Sequence, residues 1–68
     1  MTVMELVKMR ENNFRQLRSI MESIKNAICI GDFRSADTEV EELQSLISEG
    51  RRISDALSVR SINVNIDD

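Results

Sequence analysis

Apolar residues in the first thirty positions recur at alternating steps of three and four, interrupted only at Arg10, which is the spacing of one face of an α-helix. This row consists of Val3, Val7, Phe14, Leu17, Met21, Ile24 and Ile28. Three more apolar residues widen the row into a stripe: Leu6, Ile20 and Ala27. We predict a continuous first helix over residues 2–30. Asn12 and Asn13, two poor helix formers in succession, make a break at this point the alternative.

A second row with the same helical spacing begins at residue 33. It consists of Phe33, Ala36, Val40, Leu43 and Ile47, with Leu46 beside it and Ile53, Ala56 and Leu57 continuing it. We predict a second helix over residues 33–59 that runs through Gly50. Because a glycine inside a helix costs about 1 kcal/mol relative to alanine, we expect Gly50 to have a packing reason, namely to make room for the ring of Phe14. A chain break at Gly50 is the alternative.

Gly31 and Asp32 lie between the two rows and have the residue types of a helix-to-helix turn. Gly31 has no Cβ and can take the left-handed conformation that ends a helix. Asp32 suits the N-cap of the second helix, because its carboxylate accepts hydrogen bonds from free backbone N–H groups there. At the start of the chain, Thr2 and Glu5 have the spacing of a capping box, so we expect the first helix to begin at once.

These elements predict an all-α protein in which residues 1–60 form an antiparallel two-helix hairpin. Folding about the turn places residues whose numbers add to about 63 side by side, so Met21 meets Leu43 and Lys25 lies near Glu39. The apolar stripes are wider than the strip that two helices cover between them, and a chain of 68 residues encloses only a small core. We therefore expect two hairpins to form a dimeric four-helix bundle, with a partner protein that supplies the missing helices as the alternative. The residues expected at this protein interface are Phe14, Leu17, Ile20, Met21, Ile24, Leu43, Leu46, Ile47 and Ile53.

The last eight residues alternate apolar and polar positions with period two, the pattern of a strand or an extended peptide. We predict an extended or disordered tail over residues 61–68. The alternative is a segment that adds to the edge of a partner's sheet through Ile62, Val64 and Ile66.

Composition argues against several kinds of functional site. The chain has no histidine and a single cysteine, Cys29, so it can build neither an intrachain disulfide nor a recognisable zinc site. Cys29 lies between isoleucines, where we expect a small buried apolar side chain rather than a reactive thiol. We predict no enzyme activity, no cofactor, no metal and no small-molecule ligand, because the residue types and spacings that such sites need are missing.

We expect a cytoplasmic protein with no membrane partner. The apolar stretches fall short of the roughly 20 consecutive residues that cross a bilayer. The first nine residues include Glu5 and lack the basic start of a signal peptide. A lone cysteine also suits a reducing compartment.

Charge is distributed unevenly around a net value of −3. Residues 1–25 carry five basic and three acidic groups, and the rest of the chain carries four and nine. One ridge of the first helix carries four basic residues at helical spacing: Lys8, Arg15, Arg18 and Lys25. Because Glu11 and Glu22 are spaced to neutralise this ridge, we do not expect nucleic-acid binding.

In length, hinge position and overall plan, the chain is similar to the Rop-like regulators, which are small acidic helical-hairpin dimers that bind RNA. This resemblance makes an RNA-binding regulator that uses the basic ridge the alternative function. The function we expect is a small non-enzymatic protein-binding module that acts through the apolar stripe of the hairpin, as regulators, adaptors and co-chaperones of this plan do. Its partner is expected to be a second copy of the chain or another protein.

Overall fold

A computed structural model of the protein describes the backbone of residues 2–67 and the side chains of residues 2–59. Two helices make up this part of the chain: α1, Val3–Cys29, and α2, Phe33–Asp67. They pack against each other across a short turn, with no strand in the described range, and the molecule measures 55 × 16 × 15 Å. The predicted all-α helical hairpin is confirmed.

The first helix begins where the capping pattern places it. The backbone N–H of Glu5 donates to Oγ1 of Thr2 over 3.1 Å, and the Thr2 hydroxyl donates to the Glu5 carboxylate, also over 3.1 Å. The helix then runs through Asn12 and Asn13, so the alternative break does not occur. Contacts of the Asn13 side chain with α2, given below, offset the poor helix propensity at this point.

The turn between the helices is a Schellman motif built on Gly31, whose φ is +80°. The N–H of Gly31 donates to the carbonyl oxygen of Ile28 over 3.0 Å, and the N–H of Asp32 donates to the carbonyl oxygen of Ala27 over 2.8 Å. These bonds satisfy carbonyl groups that the end of α1 leaves without partners. In the described part of the chain, the space around a Cβ on Gly31 is open. Its positive φ, rather than crowding, is therefore what requires glycine.

Asp32 caps the N-terminus of α2. Its Oδ1 accepts a hydrogen bond from the backbone N–H of Ser35 over 3.2 Å. Hydrogen bonds from the side chain and the backbone of Ser35 hold the pKa of the exposed Asp32 carboxyl below its ordinary value. Gly31 and Asp32 thus occupy the turn positions assigned to them from the sequence.

The second helix is longer than the sequence pattern indicates. It continues through Gly50 and ends at Asp67, whereas the prediction ends it near residue 59 and makes residues 61–68 an extended or disordered tail. A helix that has already formed extends at little cost in free energy, and the described part of the hairpin offers no sheet with which a period-two segment could pair. The alternative role of this segment, addition to a partner's sheet, concerns side chains outside the described residues.

The residues of α1 that face α2 each precede a member of the main apolar row predicted from the sequence by one position. The buried residues of α1 are Leu6, Asn13 and Ala27, and those of α2 include Ala36 and Ile53. Small side chains in this contact let the helices approach closely. Phe14 and Met21 of the predicted row would hold them apart, and these two side chains are instead 47% and 50% exposed.

Asn13 and Gly50 form the most specific contact between the helices. Asn13 is only 2% exposed, and its Nδ2 donates to the carbonyl oxygen of Leu46 over 2.9 Å. The atoms closest to a Cβ built on Gly50 all belong to the Asn13 side chain. Gly50 therefore makes room for Asn13. The expectation that it makes room for Phe14 is wrong, because the contact row on α1 is shifted by one residue.

Candidate functional site

Exposed apolar side chains form two rows, one on each helix, at intervals of seven residues. The row on α1 consists of Phe14, Met21 and Ile28, and the row on α2 consists of Phe33, Val40 and Ile47. Val40 is half-buried, and the other five are between 47% and 67% exposed. Because seven residues are close to two helical turns, each row runs nearly parallel to its helix axis. These six residues are called the apolar face below.

Both rows lie on the same side of the hairpin. At the turn end, one groove is lined by Ile28, Phe33 and Val40, together with Ile24 and Ala36. Since each row continues straight along its helix, the same side also presents the members further from the turn. The apolar face is therefore a strip about 20 Å long that spans two adjacent helices.

The nine residues predicted at a protein interface divide between this face and the hairpin interior. Three of them belong to the face: Phe14, Met21 and Ile47. Five are half-buried and lie near the contact between α1 and α2: Leu17, Ile20, Ile24, Leu43 and Leu46. Ile53 is only 3% exposed inside the hairpin, so it is not available to a partner as expected. The face also contains Ile28, Phe33 and Val40, which the sequence did not single out as interface residues.

The basic ridge lies on the surface of α1, and its four members are all exposed: Lys8, Arg15, Arg18 and Lys25. Glu11 and Glu22 are exposed on the same helix. The expected pairing of Lys25 with Glu39 does not form. Oε1 of Glu39 accepts a hydrogen bond from the hydroxyl of Ser23, and its Oε2 has no hydrogen-bond partner within the described part of the chain.

Cys29 is exposed, so the expectation of a buried apolar side chain is wrong. It lies two positions after the buried Ala27 on α1, which places it on the side of the helix that faces away from α2. Among the residues that the structure describes, no group of three or more histidine, cysteine, aspartate or glutamate side chains could hold a metal ion.

Over that same range, neither helix contains a segment of the length and apolar character needed to cross a membrane.

Comparisons with protein-family models, with curated proteins and with solved structures found no match. What the chain can bind is therefore judged from the apolar face and the charged residues around it.

Proposed function

We propose that this chain is a small non-enzymatic protein-binding module whose binding surface is the apolar face. The observation that carries the proposal is the presence of five large apolar side chains, each between 47% and 67% exposed, along one side of the hairpin. Soluble proteins rarely leave a continuous apolar patch in water, and patches of this kind commonly mark protein interfaces. Two parallel rows on adjacent helices match the way helices of a partner pack.

The small interior of the hairpin supports the proposal. In the described part of the chain, the buried apolar residues are Leu6, Ala27, Ala36 and Ile53. Two of the four are alanines, which contribute far less than the roughly 1.5–3 kcal/mol of a fully buried leucine or isoleucine. Short chains with so small a core commonly gain stability by association. A partner that covers the apolar face would therefore favour folding as well as binding.

A hairpin of this kind suits a regulator, an adaptor or a co-chaperone, which acts by occupying a surface on another chain. The partner is either a second copy or another protein that supplies the helices of a four-helix bundle. We include a cytoplasmic location in the proposal, in agreement with a lone cysteine that has no second cysteine in the chain with which to form a disulfide.

Co-purification with matched variants tests the proposed function. A tagged chain is expressed in the native host together with the untagged chain, and the proteins bound to it are identified by mass spectrometry. Met21→Gln with Ile47→Gln alters two residues of the face. The matched control, Met9→Gln with Val59→Gln, alters two residues outside the face that are 37% and 57% exposed. Glutamine is a good helix former, so both double variants are expected to keep the hairpin.

We expect bound protein, the untagged chain included, to be lost from the face variant and retained by the control variant. Identical bound proteins in both variants would contradict the proposal. Bound RNA that disappears after Arg15→Ala with Arg18→Ala would also contradict it. That result would favour the RNA-binding alternative, whose physical basis is the exposure of the basic ridge.

A further inference from the structure

Polar residues border the apolar face on both helices. The α1 border consists of Glu11, Arg18 and Lys25, and the α2 border consists of Asp37, Gln44 and Arg51; all six are exposed. Each lies three or four positions from residues of the face and is therefore beside them on the helix surface. Asp37 also lines the groove at the turn end of the face. The borders repeat every seven residues, in step with the apolar rows.

We propose that a second copy of this chain occupies the apolar face, related to the first by a two-fold axis parallel to the helices, with both turns at the same end. This inference rests on the proposed protein-binding function and names its partner. Such an axis places α1 of one copy against α2 of the other in antiparallel orientation. The result is a four-helix bundle in which every helix has two antiparallel neighbours.

The register across this interface follows from the hairpin. A two-fold axis parallel to the helices leaves every residue at the same height along the bundle. Consequently α1 meets α2 of the second copy at the heights at which it meets its own α2. Within one copy, Asn13 lies opposite Gly50, which sets these heights. Across the interface, Phe14 then lies within one helical turn of Ile47 of the second copy, and the remaining members of the two apolar rows face each other with the same small offset.

The same register brings opposite charges together along the borders. Three border pairs result: Glu11 with Arg51, Lys25 with Asp37, and Arg18 with Gln44. Two of these pairs join opposite charges, and the third joins a positive charge to a neutral amide. The two-fold axis repeats each pair on the other side of the bundle. Complementary charges at the edge of an apolar interface favour one orientation of the partner over the others.

Turning the second copy end over end gives a less favourable interface. When the two-fold axis is perpendicular to the helices, each helix meets its own counterpart. Full overlap of the apolar faces then centres on Met21 and brings Arg18 beside Lys25 of the second copy, and like charges in close proximity oppose association. The apolar rows themselves still meet, Phe14 against Ile28 and Phe33 against Ile47, so the border charges distinguish the two arrangements.

Cross-linking between separately purified variants tests the arrangement. All variants carry Cys29→Ala, because the natural cysteine is exposed. Lys25→Cys is mixed with Asp37→Cys and treated with a short bis-maleimide, so that a link between positions 25 and 37 can arise only between two chains. The matched control mixes Lys25→Cys with Arg18→Cys, the pair that the end-over-end arrangement brings together. The altered positions are exposed, and the hairpin does not depend on them.

We expect the link between positions 25 and 37 to exceed the control link about tenfold, because the complex holds these two thiols at a high effective concentration. A dominant link between positions 18 and 25, or equal yields in a preparation of dimeric mass, would overturn the arrangement and leave the protein-binding function intact. A chain that folds only together with a different protein would also overturn the two-fold arrangement and leave the protein-binding function intact. A folded monomer at every concentration would likewise overturn the arrangement, and the co-purification above would then decide whether another protein binds the face.

Discussion

Asn13 and Gly50 depend on each other across the helix contact, because a Cβ at position 50 would lie 2.6 Å from Oδ1 of Asn13. The Asn13 side chain cannot turn aside without losing its hydrogen bond to the carbonyl oxygen of Leu46. Among the residues that the structure describes, Oδ1 itself has no hydrogen-bond partner, so this buried amide is only half satisfied there. A buried asparagine between helices lowers stability and selects one register, because a shifted register would not accommodate it.

Gly50→Ala is expected to lower the free energy of unfolding, although helix propensity alone favours alanine by about 1 kcal/mol. Overpacking against Asn13 costs about 1–3 kcal/mol and outweighs that gain. When Asn13→Ala has removed the obstruction, Gly50→Ala is expected to stabilise by about 1 kcal/mol. Denaturant unfolding of the wild type, both single variants and the double variant measures this change of sign. Equal effects of Gly50→Ala in the two backgrounds would show that the residues are not coupled.

Gly31→Ala is expected to destabilise the hairpin by about 1 kcal/mol or more, because alanine is strained at positive φ. Space around the position is open in the described structure, so the cost comes from the backbone. Gly31→Asn should cost less, because asparagine tolerates the left-handed conformation. Ser45→Ala, at an exposed position within α2, serves as a control and is expected to change stability little. Thermal unfolding that ranks the alanine variant at position 31 as equal to the wild type would contradict the turn geometry.

Asp32 is expected to make stability depend on pH in the acid range. Hydrogen bonds from Ser35 lower its pKa in the folded chain below the ordinary value of 3.8. The charged form is therefore favoured by folding, and its contribution is complete above pH 3.8 and lost as pH falls through the lower folded-state pKa. The stability difference between the wild type and Asp32→Ala should shrink over that window. Asp32→Asn keeps a cap but has no titrating carboxyl, so the stability difference between Asp32→Asn and Asp32→Ala should not change with pH. If the stability difference between the wild type and Asp32→Ala were equally constant, this role of Asp32 would be contradicted.

The helices and the turn could be predicted because their signals are local. Apolar spacing defines a helix, and the chemistry of Gly31 and Asp32 defines the turn, whatever else the chain contacts. The row that faces the other helix could not be chosen in the same way, because the apolar stripe is wide enough for two neighbours. The sequence nevertheless contained a signal that Asn13 faces α2. The residues of α1 that contact α2 are spaced by seven in the sequence: Leu6, Asn13, the half-buried Ile20 and Ala27.

Two other expectations differ from the structure. Cys29 lies two residues, or about 200° around the helix, from the buried Ala27, and its apolar neighbours in the sequence do not report which side of α1 it occupies. The helical backbone to Asp67 replaces the predicted end near residue 59, because period-two alternation over eight residues favours a strand only when a sheet is present to pair with it. The identity of a partner is not contained in the pattern of one chain, since it depends on a second surface.

Nucleic-acid binding at the basic ridge is expected to be absent at physiological salt, since Glu11 and Glu22 interrupt its positive charge. Gel-shift assays with total host RNA and with duplex DNA over a range of salt concentrations check this. Arg15→Ala with Arg18→Ala is the matched variant. A submicromolar complex that weakens steeply with salt, and less steeply in this variant, would contradict the proposed function.

The central claim is that the apolar face is covered by a second copy of the chain. Its most direct test is the mass of the Cys29→Ala protein, measured by light scattering after size exclusion over a range of concentrations. The account predicts a mass of twice the monomer mass of 7.8 kDa. Met21→Gln with Ile47→Gln should shift the measured mass towards that of the monomer, and Met9→Gln with Val59→Gln should leave it unchanged. A folded chain with a mass of 7.8 kDa at every concentration would contradict it.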